Sequence, residues 1–530
     1  MSSPLTGVRP LLHATLRQDG RHFAPWVVLA TALSTSSVIA YPLVFPSAAD
    51  RAALATAIGS NPALGIIFGP AHDLSTTDGF NAWRSLALGG FLAAMGAIFA
   101  VTRASRAQED SGQAELLAAG VLGRSSRLVV AVAVGCIGSI LLGLVAALVT
   151  VAFGGGWEAT LLLGAGFATT GIMFASLAAV TAQLGADART SNSLAVGTLA
   201  ALFLLRGASG ALQAPEWTFW ANPLGWVLQT LPAGENRWWP LLLGLALSGA
   251  FLALAFSLQA RRDFGVGAIP PRPGPAHGRL GNVRSLVVRL NRASLVTWCV
   301  AFLVLGYVFG YLATSVKDLL GGESGVQQIL AAGATTPDEL VHAFLVTILS
   351  LVGIIASVPG VQIMTRVRTE ELEDRVEPIL ATPVGRTRFY GAHVGLALLA
   401  PAVYLLLAAT IIGIVAANGD TGLSTGDVIA QGLATVPAVW VLVAVSVAVV
   451  GARPHVRIAA WAGVVASFAL TILGPTFKLW DWILAISPFW HVPKLTSEDP
   501  DWWGLGAIGA VALILLAIGF AGFRRRDIAV

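Results

Sequence analysis

The feature that most constrains this chain is a series of apolar runs, each long enough to cross a lipid bilayer. A helix needs about 20 mostly apolar residues to span the roughly 30 Å hydrocarbon core. Windows that meet this condition fall at about 23–45, 82–102, 128–153, 158–184, 191–212, 239–260, 294–313, 342–365, 389–417, 427–451, 456–475 and 503–523. The sequence therefore predicts an all-α polytopic membrane protein with twelve transmembrane helices.

Composition excludes the main alternative class. Of the 530 residues, 56% are hydrophobic and 11% are charged, whereas soluble globular proteins have roughly 25% charged residues. This number of charged residues is too small to cover a water-exposed surface of ordinary area. A soluble enzyme is therefore excluded. The first apolar run follows more than twenty polar or mixed residues and lacks a small-residue cleavage site. It is therefore expected to be a retained helix and not a signal peptide.

The distribution of basic residues predicts the orientation. With the N-terminus placed inside, the inner segments hold 25 of the 32 Lys and Arg residues, and the outer loops hold sixteen acids. Loops rich in Lys and Arg stay on the cytoplasmic side of a membrane. Both termini are therefore expected in the cytoplasm, with the chain in a bacterial plasma membrane.

The two halves of the sequence resemble each other when shifted by about 262 to 265 residues. Arg106–Glu109 corresponds to Arg368–Glu371, and Arg261–Asp263 corresponds to Arg525–Asp527. With six spans per half, the repeats share one orientation, so their pseudo-twofold axis is expected along the membrane normal. The predicted division is a first half over residues 1–264, a cytoplasmic Pro/Gly linker over 265–281 and a second half over 282–530.

Each half begins with a short segment that is both apolar and basic. The segments are Leu11–Arg17 and Val283–Leu290. Apolar and basic residues at helical spacing favour a helix lying in the inner membrane interface. The alternative is a solvated tail next to the membrane.

The cytoplasmic loops after the second and eighth spans, residues 103–127 and 366–388, carry charges of both signs. Each also contains a small apolar cluster and ends at Gly-Arg. Such a loop can form a short helix that presents charges to a cytoplasmic protein. A single copy would be read more simply as a solvated, salt-bridged loop. Its presence in both halves favours a docking element.

The order of these elements supports a family resemblance. The order resembles that of an ABC export permease of the type-2 class. It begins with an interfacial helix, two spans and an acidic loop ending at Pro383–Arg386, and it continues with three spans, a Trp- and Pro-rich external segment and a final span. The duplicated 6+6 form is similar to actinobacterial polyketide-antibiotic and multidrug exporter permeases of the tetronasin-resistance type. The first copy departs from the pattern, because Val121-Leu122 stands where the second has Pro383-Val384.

The resemblance implies that each loop forms a coupling helix that binds a groove on a nucleotide-binding subunit. Carried over, four acids would face that partner, and two arginines would cap the span that follows. The acids are Glu109, Glu115, Glu371 and Glu377, the arginines are Arg124 and Arg386, and Arg106, Gly123, Arg368 and Gly385 complete the residues assigned to coupling.

ATP hydrolysis is not expected in this chain. A P-loop requires Gly-Lys-Ser/Thr so that the lysine reaches the phosphates, but Lys317, Lys478 and Lys494 follow Val, Phe and Pro. No cofactor is therefore expected here, and ATP and Mg²⁺ would be bound by a partner, two copies of a cytoplasmic ABC ATPase. The other expected partners are membrane lipid and a hydrophobic small-molecule substrate, with no nucleic acid.

The resemblance also suggests that the second and fifth spans of each half border a substrate path. Aromatic and thioether side chains accommodate varied apolar ligands. The candidates are Phe91, Met95, Phe203, Phe344 and Phe468. Arg206 is the one basic residue well inside a predicted span, where an unpaired charge is costly. It either meets a polar group of the substrate or lies near the span end and reaches outward to water.

Two other functions stay open at this point. A proton-coupled secondary transporter of 6+6 architecture usually carries an acid or histidine inside the bilayer, and none of the 28 acids falls in the middle of a predicted span. A lipid-modifying membrane enzyme could recruit Asp73, Asp78, Asp338 and Glu339, but no metal or nucleophile motif accompanies them. The favoured interpretation is a non-enzymatic permease subunit that exports drugs by alternating access, powered by separate ATPase subunits.

Overall fold

The computed structural model describes residues 5–59, 65, 67–118, 120, 122–211, 214–262, 266–269, 281–314, 337–419, 422–476, 480–495 and 500–527, and every regular element in these ranges is a helix. The chain divides into two compact units, Met1–Gly274 and Pro275–Val530, called the first half and the second half below. The predicted linker at 265–281 lies mostly outside the described residues.

The first half is built from helices of two lengths, long spans and short connecting helices. In chain order they are α1 (Val8–Asp19), α2 (Ala24–Val44), α3 (Ala48–Gly59), α4 (Thr77–Arg103), α5 (Arg106–Asp110), α6 (Gln113–Ala118), α7 (Ser126–Ala152), α8 (Trp157–Leu184), α9 (Ala188–Ala211), α10 (Trp217–Trp220), α11 (Pro223–Leu228) and α12 (Pro240–Arg261). A 3₁₀ turn over Gly20–Phe23 joins α1 to α2.

The second half has the same plan with fewer short helices. Its helices are α13 (Val283–Thr314), α14 (Pro337–Leu372), α15 (Glu377–Leu380), α16 (Arg386–Ala417), α17 (Thr425–Ala452), α18 (Ala462–Thr476), α19 (Asp481–Leu484) and α20 (Trp502–Arg525), with 3₁₀ helices at Pro454–Trp461 and Pro488–His491.

Eleven helices in the described ranges are long and apolar enough to cross a membrane. They are α2, extended at its start by α1, followed by α4, α7, α8, α9 and α12 in the first half and α13, α14, α16, α17 and α20 in the second. Each overlaps one of the predicted windows. The chain is therefore an all-α polytopic membrane protein, as predicted.

The remaining predicted span, at about 456–475, differs from the structure. Its first residues belong to the 3₁₀ helix Pro454–Trp461, and α18 then continues for only 15 residues. Proline at position 454 has no backbone N–H, and Val456 has φ −97° and ψ 37°, outside the helical region. α18 alone is about 22 Å long, and the 3₁₀ helix leads directly into it, so this window forms a helical segment with a kink near its start and not one continuous α-helix. The predicted count of twelve full-length spans is not reproduced among the described residues.

Each half is organised around its fourth span. In the first half α8 packs against α4, α7, α9 and α12, and in the second half α17 packs against α14, α16 and α20. Glycine permits the closest of these approaches. A Cβ on Gly143 would collide with the carbonyl oxygen of Gly164, and a Cβ on Gly451 would collide with that of Gly519. Small residues let membrane helices approach closely enough for extensive packing, which fixes the helix ends where the loops attach.

The two halves begin differently. In the first half, the segment predicted to be interfacial forms a separate helix, α1, which ends before the turn at Gly20. In the second half the corresponding segment forms the first two turns of α13, which continues unbroken for 32 residues, about 48 Å. Gly20 and Pro25 interrupt the first sequence, whereas residues 283–305 contain neither glycine nor proline. A separate interfacial helix at Val283–Leu290 is therefore not formed.

Candidate functional site

The loops after the second span of each half follow different paths. In the first half α4 ends at Arg103, and the loop folds into α5 and α6 before the amide of Gly123 donates to the carbonyl oxygen of Thr6 at 3.0 Å. In the second half α14 extends through the corresponding position to Leu372, and only the short helix α15 follows. Gly385 precedes α16 in an extended conformation.

The tips of both loops carry an exposed acid. Glu115 lies on α6 beside Leu116, which is 79% exposed, and Glu377 is the first residue of α15 and is also exposed. Both tips therefore present a carboxylate to the solvent.

Glu109, six residues before Glu115, is enclosed by three arginines from different elements. Its carboxylate accepts hydrogen bonds from Arg106 Nη1 at 2.6 Å, Arg262 Nη2 at 2.8 Å and Arg127 Nη2 at 3.5 Å. Only 7% of the Glu109 side chain is exposed. Because Arg262 directly follows α12, the cluster ties the loop after the second span to the end of the sixth span.

The second half repeats this link. The Glu371 side chain is fully enclosed and accepts hydrogen bonds from Arg368 Nη1 at 3.1 Å and from Arg526 Nη2. Arg526 directly follows α20, the last span of that half. Hydrogen bonds between ionised partners are about twice as strong as neutral ones, so each half is closed by a charge-assisted contact between its loop and its final helix.

These contacts correct part of the expectation for the loop acids. Glu109 and Glu371 were predicted to face a partner, together with Glu115 and Glu377. The structure turns Glu109 and Glu371 inward, where each carboxylate accepts hydrogen bonds from arginines of its own half. Glu115 and Glu377 stay exposed.

Arg124 and Arg386 also act on a different helix from the one expected. They were predicted to cap the span that follows each of them. Arg124 Nη2 instead donates to the carbonyl oxygen of Ala260 at 3.0 Å, near the end of α12. Arg386 Nη1 donates to the carbonyl oxygen of Arg526 at 2.8 Å, just past α20. The last carbonyls of a helix have no partner within the helix, so each arginine stabilises the end of the sixth span of its half.

Three arginines of the clusters were not singled out from the sequence. Arg262 and Arg526 occupy matching positions in the Arg-Arg-Asp runs that end the two repeats, and this match was the available signal. Arg127 has no such signal, because a shift of 262 residues places Phe389 at its position.

Arg206 is buried near the end of α9, with 2% of its surface exposed. Its Nη2 donates to the carbonyl oxygen of Ile67 at 2.8 Å, and its guanidinium carbon lies 4.4 Å from the ring centre of Phe203. The helix continues past it to Ala211. The side chain therefore bonds to the segment between α3 and α4 and stacks on an aromatic ring. It does not extend into water.

The other path candidates are placed in different surroundings. Phe91 on α4 and Phe203 on α9 meet edge to face, with ring centres 5.2 Å apart, and Met95 lies one turn beyond Phe91. In the second half Phe344 is buried in the core, whereas Phe468 on α18 is 51% exposed. The structure thus brings Phe91, Phe203 and Arg206 together, because Phe91 contacts Phe203 between α4 and α9 and Phe203 contacts Arg206 within α9.

Comparisons with known proteins match the chain over nearly its whole length. A sequence profile of the family described as "Multidrug efflux system permease Rv1217c, C-terminal domain" matches residues 28–258 and 280–524. The chain belongs to this family. The multidrug efflux system permease protein Rv1217c of Mycobacterium tuberculosis is 34% identical over 546 residues, which cover 99% of this chain and 96% of that protein. The two matched segments fall one in each half of this Rv1217c-family permease.

A buried polar cluster that no sequence pattern predicts links the first three spans of the permease. Ser34 donates to Asn81 Oδ1 at 3.1 Å, and Thr150 donates to Ser34 at 3.0 Å. Interhelical hydrogen bonds of this kind join membrane helices. Small polar residues such as these lower the mean hydropathy of a window too little to change the prediction of a span. Among the described residues of the permease, no group of three His, Cys, Asp or Glu side chains could hold a metal ion.

Proposed function

We propose that this chain is the membrane permease of an ATP-driven ABC exporter of the type-2 class, related to the tetronasin-resistance permeases. It moves hydrophobic or amphipathic drugs out of the cell, and two copies of a separate cytoplasmic ATPase bind ATP and Mg²⁺. Membership in the Rv1217c family supports the transport role, because the relative is named as a multidrug efflux permease.

The observation that carries this proposal is the same arrangement of acids in both loops, although the loops themselves fold differently. An exposed acid stands six residues after a buried acid that is bonded to the last span of its half. The sets are Glu115, Glu109 and Arg262 in the first half and Glu377, Glu371 and Arg526 in the second. A partner that moves the exposed tip therefore pulls on a charge-assisted contact, and the displacement reaches the final helix directly.

Transport then follows as a shift between two packings of the spans. A ligand can move such an equilibrium only as far as it binds one state more tightly than the other. ATP binding by the partner supplies this difference, and the loops convey it to α12 and α20. The proposal places both termini and both loops in the cytoplasm, where the ATPase is available.

Reversal of both exposed acids tests the proposal. In the double variant Glu115→Arg, Glu377→Arg, we expect co-purification of the ATPase and drug export to fall to background, because like charges replace the attraction at both docking points. Membrane insertion should be normal, since neither side chain is buried. Pull-down from native membranes in mild detergent, ATPase assay of the bound fraction and drug export in cells are the measurements.

A matched control is Glu216→Arg, another exposed acid, which lies past the opposite end of α9. It should leave both readouts unchanged. Unaltered export by the double variant would refute coupling through these loops. Transport by the isolated chain in ATP-free vesicles under a pH gradient would favour the secondary transporter instead. The acids in the described parts of the spans lie near helix ends, such as Asp78 and Asp427, which supports the ATP-driven alternative.

We propose further that the substrate path of the first half runs beside Phe91, Met95 and Phe203. These half-buried side chains lie on α4 and α9, where they can be displaced without opening the central core. Phe203→Leu should change the relative export of substrates of different size, whereas Phe344→Leu, in the closed core of the second half, should alter stability with no change in substrate preference.

A further inference from the structure

The first half contains a cavity of about 320 Å³ at its loop end. Its lining comes from the ends of four spans, including Leu128 at the start of α7, Gln183 at the end of α8 and Gln259 at the end of α12. Small-molecule pockets are about 300 to 1,000 Å³, and a water molecule takes roughly 30 Å³. The cavity is therefore large enough for a small ligand, and it lies where spans end, at the depth of lipid headgroups.

The lining carries an excess of positive charge. Among the described residues of the lining, Arg124, Arg127 and Arg262 contribute three guanidinium groups and Glu109 contributes one carboxylate. Guanidinium groups stay charged at any pH that proteins tolerate. The described lining therefore has a formal charge of +2 in a partly enclosed space, where interactions between charges are stronger than in bulk water. An anion in the cavity would offset that charge.

The hydrogen bonds show which arginine is available to a ligand. Arg262 is fully engaged, since it donates through Nε to Gln183 Oε1 at 2.6 Å, through Nη1 to the Val266 carbonyl oxygen at 3.0 Å and through both Nη atoms to Glu109. Arg124 is exposed and uses only Nη2, in its bond to Ala260. A guanidinium has five N–H donors, so most donors of Arg124 are left for another acceptor.

The position of Arg124 is fixed independently of any ligand. Gln259 Nε2 donates to the backbone carbonyl oxygen of Arg124 at 3.0 Å, which holds that residue at the rim of the cavity. Glu109 does not repel an incoming anion strongly, because Arg106 and Arg262 already bind its two oxygens. Leu122 and Leu128 add an apolar wall.

We propose that this cavity binds a phosphate-bearing anion, with Arg124 as the principal ligand, Arg127 as the second charge and Arg262 with Glu109 as a fixed wall. Planar guanidinium groups match phosphate oxygens in pairs, which makes arginine well suited to phosphate recognition. Two sources share this chemistry, the headgroup of an anionic phospholipid at the membrane surface and free inorganic phosphate. The proposal does not depend on the ATPase partner.

The test measures ligand-dependent stabilisation of the full-length chain, purified and delipidated in a neutral detergent. A ligand that binds the folded state raises the melting temperature in a concentration-dependent way. Phosphatidylglycerol is titrated against phosphatidylcholine, and inorganic phosphate is titrated against chloride at equal ionic strength. Arg124→Gln should raise the half-saturating concentration of the active probe about tenfold, as expected for loss of one hydrogen-bonded charge.

Arg261→Gln is the matched control, because it removes the same charge from an exposed neighbour that is not part of the lining. It should change the half-saturating concentration less than about twofold. Stabilisation by phosphatidylglycerol alone would assign the site to a lipid headgroup, and stabilisation by inorganic phosphate would assign it to the free anion. Stabilisation by neither probe, or equal losses in Arg124→Gln and Arg261→Gln, would overturn the proposal.

Discussion

In each half of the permease, an ion pair joins the loop after the second span to the end of the last span, Glu109 with Arg262 in the first half and Glu371 with Arg526 in the second. The surroundings of the two pairs differ. In the first half Glu109 is shared by three arginines and borders an open cavity, and 7% of its side chain is exposed. In the second half Glu371 pairs with two arginines and is completely enclosed. The loop around Glu109 is broken into short helices, whereas Glu371 belongs to the continuous helix α14. The shared contact with the final helix therefore does not depend on how the loop itself is folded.

The fifth spans differ more than the loops do. In the first half α9 starts as a regular helix at Ala188, whereas its counterpart in the second half starts as a 3₁₀ helix at Pro454 and becomes the short α18. Two acids stand at the start of α9, Asp110 and Asp187. A shift of 262 residues places Leu372 at the position of Asp110. The contact that Asp110 makes with the start of this span therefore has no counterpart at Leu372.

The largest effect expected from this comparison is the loss of the Glu371 carboxylate. Glu371→Gln leaves Arg368 and Arg526 without their shared counter-ion in an enclosed site, and breaking a buried ion pair in this way costs about 3–5 kcal/mol. Glu109→Gln should cost less, because Arg127 and Arg262, two of its three arginines, line a cavity that admits water. Thermal denaturation of the purified variants, with the folded fraction measured by size-exclusion chromatography, gives the order of the two effects.

Glu115→Gln and Glu377→Gln provide the matched controls, since they make the same chemical change at exposed positions of the same loops. Their melting temperatures should equal that of the unmodified chain. If Glu109→Gln proved as destabilising as Glu371→Gln, the difference in enclosure would have no energetic consequence, and the comparison between the two clusters would fail.

A smaller effect should reveal which arginine carries the contact between loop and final helix. In a double-mutant cycle, Glu109→Gln and Arg262→Gln should show a coupling energy of about 1.5–3 kcal/mol, the usual contribution of a hydrogen bond between charged groups. Glu109→Gln and Arg124→Gln should show far less coupling, because Arg124 bonds to the Ala260 carbonyl oxygen and not to Glu109. Equal coupling energies in the two cycles would mean that the cluster acts only through its net charge.

The spans could be predicted from sequence because an apolar run of the right length has few alternatives in a bilayer. The predicted windows at 158–184 and 389–417 correspond to helices Trp157–Leu184 and Arg386–Ala417. The window at 456–475 does not form one continuous α-helix, because an average over twenty residues hides the effect of one proline. Pro454 changes the local hydrogen bonding without lowering the apolar content of the residues that follow it.

The buried positions of Glu109 and Glu371 could not be derived from the sequence. The sequence contains both partners of each pair, but Glu109 and Arg262 are separated by 153 residues, and Glu371 and Arg526 by 155. Whether an acid in a loop faces outward or turns toward a distant arginine depends on which helix ends the fold brings together. The repeat offered the only clue, because Arg262 and Arg526 end matching runs. It did not say which acids they meet.

The smallest expected effect concerns the start of α9. Asp110 Oδ2 accepts from the amide of Ala188 at 2.7 Å, so Asp110→Leu, which introduces the residue of the second half, removes a capping bond. The expected cost is about 1 kcal/mol, seen as roughly fivefold faster hydrogen exchange over residues 188–192, with export unaffected. The reciprocal Leu372→Asp should not protect residues 454–458, because Pro454 has no amide hydrogen to donate. Unchanged exchange in Asp110→Leu would mean that Asp187 alone starts the helix, and that Pro454, not the missing acid, accounts for the 3₁₀ start of the corresponding segment in the second half.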